Sequence, residues 1–488
     1  MSSDAPRRHR RIALTRREFT HALAATAAVP ALTRCARPPE QVEVLVLGAG
    51  ISGLYAAWLL QRQGLTPLVL EASDRIGGRL LTLDHLRGAP EAGGQTLDAL
   101  YARTLATAGE LGVGVFPRKS YAPGLTLHVN GELLDGARWS ESSANRLEGA
   151  ERAVQPQRLA DFYLDRGSPL TALTDWLKPE FAGVDSRSLN AELRRLGASA
   201  EALRLIEILY DGRGTANMSA LFAYRKRLVA QAGGGQFFRI SGGSSRLPEA
   251  IARTLGSSVR LRQAVSRIEV DDDGVECRCA DGRRYRARFM LCSVPWSVLS
   301  SVILHPQPPQ AEIIRTLPYN KITQVKLAFR RRFWEDDGLP PAMVSDRPFE
   351  KLFAVPAEDG SLNELNCWID GQQAAKLDDW TSDRIGRFVI REISAARPAA
   401  AGQLEVLDIT AWGQDPYALG SYHFWGPGQT TRFGALARAP WGPVHWIGEH
   451  MAVLQQGIEG AMESAEREVL AVLLRMGGAR GDAPGAVQ

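Results

Sequence analysis

The sequence predicts an α/β protein in which one α/β domain is split along the chain and a mixed α+β domain is interleaved with it. Three observations predict this. An apolar strand, a glycine-rich turn and an apolar helix follow one another at Val44-Leu45-Val46-Leu47-Gly48-Ala49-Gly50-Ile51-Ser52-Gly53-Leu54. A second apolar run ends in an acid, Glu71. Strand-like texture then returns near residue 240 and again at Val444–Ile447, after blocks of different character.

The first βα turn has the form of a dinucleotide site. Gly48 allows the tight turn, Gly50 lets the backbone approach a pyrophosphate, and Gly53 lets the helix pack closely on the strand. The helix N-terminus, with Ser52 in its first turn, offers free N–H groups and a positive dipole end to phosphates. Glu71 lies at the spacing expected of an acid that accepts hydrogen bonds from a ribose. A glycine turn alone is a weak signal. Here strand, turn, helix, second strand and acid fall in order, and the extension Arg75-Ile76-Gly77-Gly78-Arg79 follows directly.

Composition bounds the rest. At 488 residues, two interleaved domains are the natural expectation. No run reaches the roughly 18–20 uninterrupted apolar residues of a membrane span. The net charge of +4 is local: six of the 58 basic and two of the 54 acidic residues lie in residues 1–31, which leaves 52 of each. No nucleic-acid partner is implied. Residues 1–31 read as an address, with Thr15-Arg16-Arg17-Glu18-Phe19-Thr20 resembling a twin-arginine export signal before the weakly apolar Ala22–Ala31. Periplasmic or secreted delivery follows as an expectation, and export in the folded state suits a cofactor inserted beforehand. Arg34 before Cys35 argues against a lipid anchor. Cys277, Cys279, Cys292 and Cys367 read as small buried hydrophobes, and no metal-ligand spacing is present.

Along the chain, residues 41–117, 238–300 and 411–475 are assigned to the Rossmann-like cofactor domain. Residues 118–237, which read as mostly helical, and 301–410 are assigned to the substrate domain, and 476–488 to a flexible tail. A helix is expected from Leu247, a hairpin turn at Asp271-Asp272-Asp273-Gly274, and a long helix from Gly457 to Arg475.

Several ordered stretches then resemble one family, the flavin-containing monoamine oxidase and L-amino-acid oxidase group, from about Val42 to Leu474. Gly77-Gly78-Arg79 resembles its second glycine doublet, and Glu91-Ala92-Gly93-Gly94-Gln95 the segment passing near the flavin. Gly242-Gly243 with Leu247-Pro248-Glu249-Ala250 resembles the motif before the family's adenine-contacting strand, in which the contacting position falls on Val265. Phe333-Trp334-Glu335-Asp336-Asp337-Gly338 resembles a substrate-domain turn. Trp412 with Asp415 to Tyr422 resembles the stretch bordering the isoalloxazine ring, and Gly448-Glu449 with Gly457-Ile458-Glu459-Gly460-Ala461 resembles the C-terminal flavin motif. The resemblance implies a two-domain fold of the glutathione-reductase type, bound FAD, and hydride transfer from an amine to flavin N5, followed by hydrolysis of the imine. It implies cofactor contacts at Gly48, Gly50, Ser52, Gly53, Glu71, Arg79, Gly93, Gly94, Val265, Gly448, Glu449 and Ile458, and candidate catalytic residues Tyr422, Trp412 and Gln324.

Four departures qualify the carry-over. The second wall of the family's aromatic cage falls on Gly457. The residue that carries a covalent flavin link in animal monoamine oxidases falls on Ser421, so noncovalent FAD is expected. No arginine for a substrate carboxylate stands near Gly94-Gln95-Thr96, which favours a primary or secondary amine over an α-amino acid. The family's flavin-facing lysine, which holds a water near N5 and assists reaction with oxygen, falls on Gln324. Lys326 shares its strand face but is displaced by about 7 Å. Slow reoxidation by oxygen follows as an expectation, with either oxygen or a periplasmic electron carrier or quinone as the acceptor. Alternatives are an L-amino-acid oxidase, a flavoprotein desaturase, or a low-turnover flavin-binding accessory protein. Trp412 to Tyr422 and Phe333-Trp334 argue against the desaturase, while Gln324 and Gly457 are what suggest the accessory protein. The expected partners are a small amine and an electron acceptor, and the chain leaves room for a homodimer.

Overall fold

A computed structural model describes residues 38–118, 124–210 and 214–481. Residues 1–31, on which the expected export signal falls, Cys35 and residues 482–488 lie outside the described residues. From Glu40 onward the chain packs as one unit.

Its first sheet grows outward from the most apolar strand. Val44, Leu45 and Val46 are 0–1 % exposed, as a strand covered on both faces must be. This strand, Glu40–Leu47, runs parallel to Leu68–Leu70 on one side and to Arg284–Cys292 on the other. Val259–Arg260 extends the parallel part beyond Leu68–Leu70. On the far side Val265–Asp271, Gly274–Cys279 and Arg284–Cys292 form an antiparallel meander. The expected turn between the first two is present, and it needs its glycine: Gly274 has φ +144°, and a Cβ there would lie 2.3 Å from the Ala287 carbonyl oxygen. Val444–Trp446 pairs with the remaining half of Arg284–Cys292. Ile303–His305 closes the outer edge, so this sheet reaches past residue 300.

The second sheet has seven strands in the order Leu404–Ala411, Ile322–Phe329, Leu365–Asp370, Lys351–Ala354, Met343–Ser345, Thr126–Val129 and Glu132–Asp135. The last two are short strands at the start of the block read as mostly helical. Thr126–Val129 gains its place by pairing with Met343–Ser345, a partner far along the chain that no local pattern reveals. Its hairpin had a legible signal, because Asn130 and Gly131 both take positive φ, at +53° and +84°, as a tight two-residue turn requires. The rest of that block is helical, with Leu159–Gly167, Leu189–Arg195, Ala200–Leu209 and Ala220–Ala232.

Two features join the segments of the cofactor domain. Leu97–Asp98 and Val115–Pro117 both pair with Phe237–Ile240, tying the first segment to the second. The helix Ile51–Arg62 shares one apolar core with the C-terminal helix Gly457–Gly481, through Leu54, Ala57, Met462, Ala465 and Val469. That helix continues past residue 475, and Met476 is buried at 4 %, so the flexible tail assigned from 476 is corrected to helix as far as Gly481. The helix Arg246–Leu255 stands where a helix from Leu247 is expected. No helix among the described residues is long and apolar enough to cross a membrane.

Candidate active site

The glycine turn is a cradle whose dimensions exclude side chains. A Cβ on Gly53 would sit 2.0 Å from the Gly48 carbonyl oxygen, and one on Gly48 would meet Ser293 Oγ at 2.4 Å. Gly50 is different, because nothing lies within 4 Å of a Cβ built there. That open space faces the N-terminus of Ile51–Arg62, where Gly50 is the cap residue and no side chain caps the free amides. Open volume, unclaimed N–H groups and a positive dipole end together fit a pyrophosphate. Gly77 forms a bridge to Gly50, and a Cβ on Gly78 would approach Gly50 Cα to 3.2 Å, so the second glycine pair braces the first.

Glu71 is 8 % exposed and holds the turn itself: Ala49 N–H donates to Oε2 at 2.7 Å and Ser73 N–H to Oε1 at 2.9 Å. Gln263 N–H donates to the Glu71 carbonyl at 2.7 Å, which brings the start of Val265–Asp271, and with it Val265, beside the acid.

A second group forms around Arg79. Its Nη1 donates to the Ser421 carbonyl and lies 3.8 Å from Glu449 Oε2. Glu449 Oε1 in turn lies 2.9 Å from His423 Nδ1. Burial alone would raise the Glu449 carboxyl, but the His423 and Arg79 charges and the His423 hydrogen bond outweigh it and hold the group at about 2. Gly448 Cα opens this loop with φ +123°. Gly93 and Gly94 pass close by: a Cβ on Gly93 would strike the Arg79 carbonyl oxygen at 2.0 Å, and one on Gly94 would reach Ile458 Cγ1 at 3.8 Å. Thus Arg79, Gly93, Gly94, Ile458, Glu449 and Ser421, far apart in sequence, come together, and the place where they meet is the candidate cofactor groove.

The three candidate catalytic residues also converge. Tyr422 and Trp412 share a small apolar cluster with Ile322, Ala418, Leu81 and Trp368. Asn320 Nδ2 donates to Tyr422 Oη at 2.9 Å, which fixes the ring. Trp412 Nε1 and Gln324 Nε2 both donate to the Ala92 carbonyl, at 2.8 and 2.7 Å. Gln324 Oε1 accepts from Asn366 Nδ2 at 2.9 Å and from Lys326 Nζ at 3.2 Å. The Gln324 amide is therefore held on three sides, and it clamps the backbone beside the groove. At Gly457 (φ +59°) the neighbour is Tyr101, whose hydroxyl oxygen would lie 3.2 Å from a Cβ there. Sequence reasoning missed Tyr101, His423, Asn320 and Ser293. Only His423, adjacent to Tyr422, carried a local signal. A cavity of about 550 Å³ opens near Phe424, lined by Asn217, Pro318, Gln372, Ala375, Lys376, Gly426 and Gln429. It holds no acid, and no chemistry is placed there.

The model of the family described as flavin containing amine oxidoreductase matches residues 51–473. A flavin-containing amine oxidase of Danio rerio is 26% identical over 464 residues, covering 89% of this chain and 86% of the relative. An L-amino acid dehydrogenase of Synechocystis is 23% identical over 466 residues, covering 89% and 96%. Among solved structures, cyclohexylamine oxidase from Brevibacterium oxydans superposes with a TM-score of 0.76 at 24% identity, over 89% of this chain and 99% of that one. Putrescine oxidase bound to putrescine gives 0.74 at 22% identity, over 90% and 100%.

Proposed function

The chain belongs to the flavin-containing amine oxidoreductase family and is an FAD-dependent oxidoreductase acting on amines, and from this premise we propose that it oxidises a primary or secondary amine that bears no α-carboxylate. When bound, FAD would supply the electron sink that accepts hydride from the amine α-carbon, leaving an imine for water to hydrolyse to a carbonyl compound. The chain's own residues bind, orient and dry the site. The turn Gly48–Gly53 and the uncapped helix N-terminus would hold the pyrophosphate, while Arg79 and Glu449 flank the groove beyond. Trp412 and Gln324 fix the Ala92 backbone on which the groove rests.

The observation that carries the reading is the convergence of Tyr422 and Trp412 in one apolar cluster beside that clamped carbonyl. Such a wall removes water from an incoming ammonium and so favours the neutral amine that can give up hydride. The absence of an arginine in the stretch around Gly94-Gln95-Thr96 supports an amine over an amino acid. Ser421 offers a hydroxyl and no thiol, so FAD is held without a covalent bond. The twin-arginine segment supports export, and a periplasmic carrier or oxygen would then take the electrons.

The test is anaerobic bleaching of the visible flavin band by a panel of monoamines, diamines, secondary amines and L-amino acids. Bleaching by monoamines or secondary amines and not by amino acids is the expected result. Bleaching by L-amino acids alone would overturn the substrate class, and no bleaching by any compound would overturn turnover itself.

A further inference from the structure

Lys326 is a buried lysine that the reaction described above does not use. It is 3 % exposed, on the strand Ile322–Phe329, and its ammonium reaches back along the same face to Gln324. From Lys326 Nζ a continuous path of hydrogen bonds runs through Gln324 Oε1 and Nε2 to the Ala92 carbonyl, within the segment that passes Arg79 and Ile458. Burial of a lysine in such a place is costly unless acids answer it. Four titratable groups on four separate segments act on it: Glu364 in the loop before Leu365–Asp370, Glu91 beside Ala92, Asp408 on Leu404–Ala411, and Arg239 on Phe237–Ile240.

We propose that Lys326 is a positioning residue that supplies the positive charge beside the cofactor, acting through the Gln324 amide and switched by its own proton. This rests on the reading that FAD lies against the Ala92 segment. Two-electron reduction adds negative charge to the cofactor unless two protons follow, so a cation held nearby favours it. The ammonium also polarises the Gln324 amide, and the amide N–H is the group presented to the backbone of the groove. Burial brings the Lys326 ammonium down to about 8, against the upward pull of Glu364, Glu91 and Asp408. Glu364, in the same burial, is raised. Lys326 therefore carries its charge at neutral pH and loses it in mildly alkaline solution, where a surface lysine would keep it.

The experiment measures the equilibrium reduction potential of the FAD-loaded enzyme against pH, for wild type, Lys326→Met, Lys326→Arg and Glu364→Gln. Wild type should show an additional fall in potential that begins near pH 8. Lys326→Met should have a lower potential at pH 7 and lack that fall. Lys326→Arg should keep the neutral-pH potential and lose the break, because its guanidinium stays charged. Glu364→Gln, which removes the acid that most favours the ammonium, should move the break to lower pH. If Lys326→Met folds, binds FAD and matches wild type at every pH, the proposal is wrong. If Lys326→Met does not fold, an unmoved break in Glu364→Gln together with a wild-type profile in Lys326→Arg overturns it equally. Failure of the wild type to take up FAD would instead sink the cofactor reading on which this rests.

Discussion

Single residues in this protein act mostly on backbone, and their substitutions can be ranked on that basis. Glu71 uses one carboxylate oxygen on the Ala49 amide of the glycine turn and the other on the Ser73 amide just beyond its own strand, while remaining able to accept from a ribose. Glu71→Ala should weaken FAD binding by about 1–3 kcal/mol, the scale of losing hydrogen bonds at a buried site, as read by fluorescence titration of the apoprotein. Unchanged affinity would show that the turn needs no such brace. Gly53→Ala should be worse, since its methyl would overlap the Gly48 carbonyl at 2.0 Å and neither atom belongs to a flexible side chain. Loss of bound flavin together with a lower melting temperature is expected. A variant that purifies yellow at wild-type occupancy would contradict it.

At the scale of elements, the helical layer over residues 149–232 depends on buried acids that tie helices together. Glu192, on Leu189–Arg195, accepts from Arg187 and Arg195 at 2.7 Å and from Tyr224 of Ala220–Ala232 at 2.8 Å. Burial alone would raise its carboxyl, but the hydrogen bonds from Arg195, Tyr224 and Arg187 prevail and lower it from 4.5 to about 2. Because the folded-state value lies below the unfolded one, this stabilisation is present above about pH 4.5 and is lost as pH falls towards 2. Glu192→Gln should cost about 1–3 kcal/mol at neutral pH, and its stability should decline less steeply through that acid window. Denaturant melts at several pH values would check both, and parallel curves for the two proteins would refute the assignment.

For the whole molecule, two outcomes follow from how the chain is addressed and loaded. Acid precipitation of the holoenzyme should leave flavin in the supernatant, because Ser421 has no sulfur to bond it. Flavin retained in the pellet would show a covalent link elsewhere. Replacing Arg16 and Arg17 by lysine should hold the protein in the cytoplasm with its leading segment attached, whereas undiminished export would mean that those residues are not the signal.

What the chain reveals without its structure is what short-range chemistry specifies. The strand, glycine turn and helix at Val44–Leu54, the acid at Glu71, the hairpin at Asp271–Gly274 and the helix from Gly457 are all set by neighbours in sequence. The physical demands there are local: a positive φ, an open helix end, an unbroken apolar run. Hence the α/β class and a split dinucleotide-binding domain are legible from residues alone, and FAD from the family resemblance those residues carry. Tertiary structure decided the rest, because the partners are remote. The hairpin strand Thr126–Val129 joins the second sheet only through Met343–Ser345, and the Ala92 carbonyl is gripped by Gln324 and Trp412 from two other segments. Lys326 shows the difference most sharply. Strand parity alone puts it on the face of Gln324, but only the surrounding packing of Glu364, Glu91, Asp408 and Arg239 determines whether that lysine is charged and what its charge can reach.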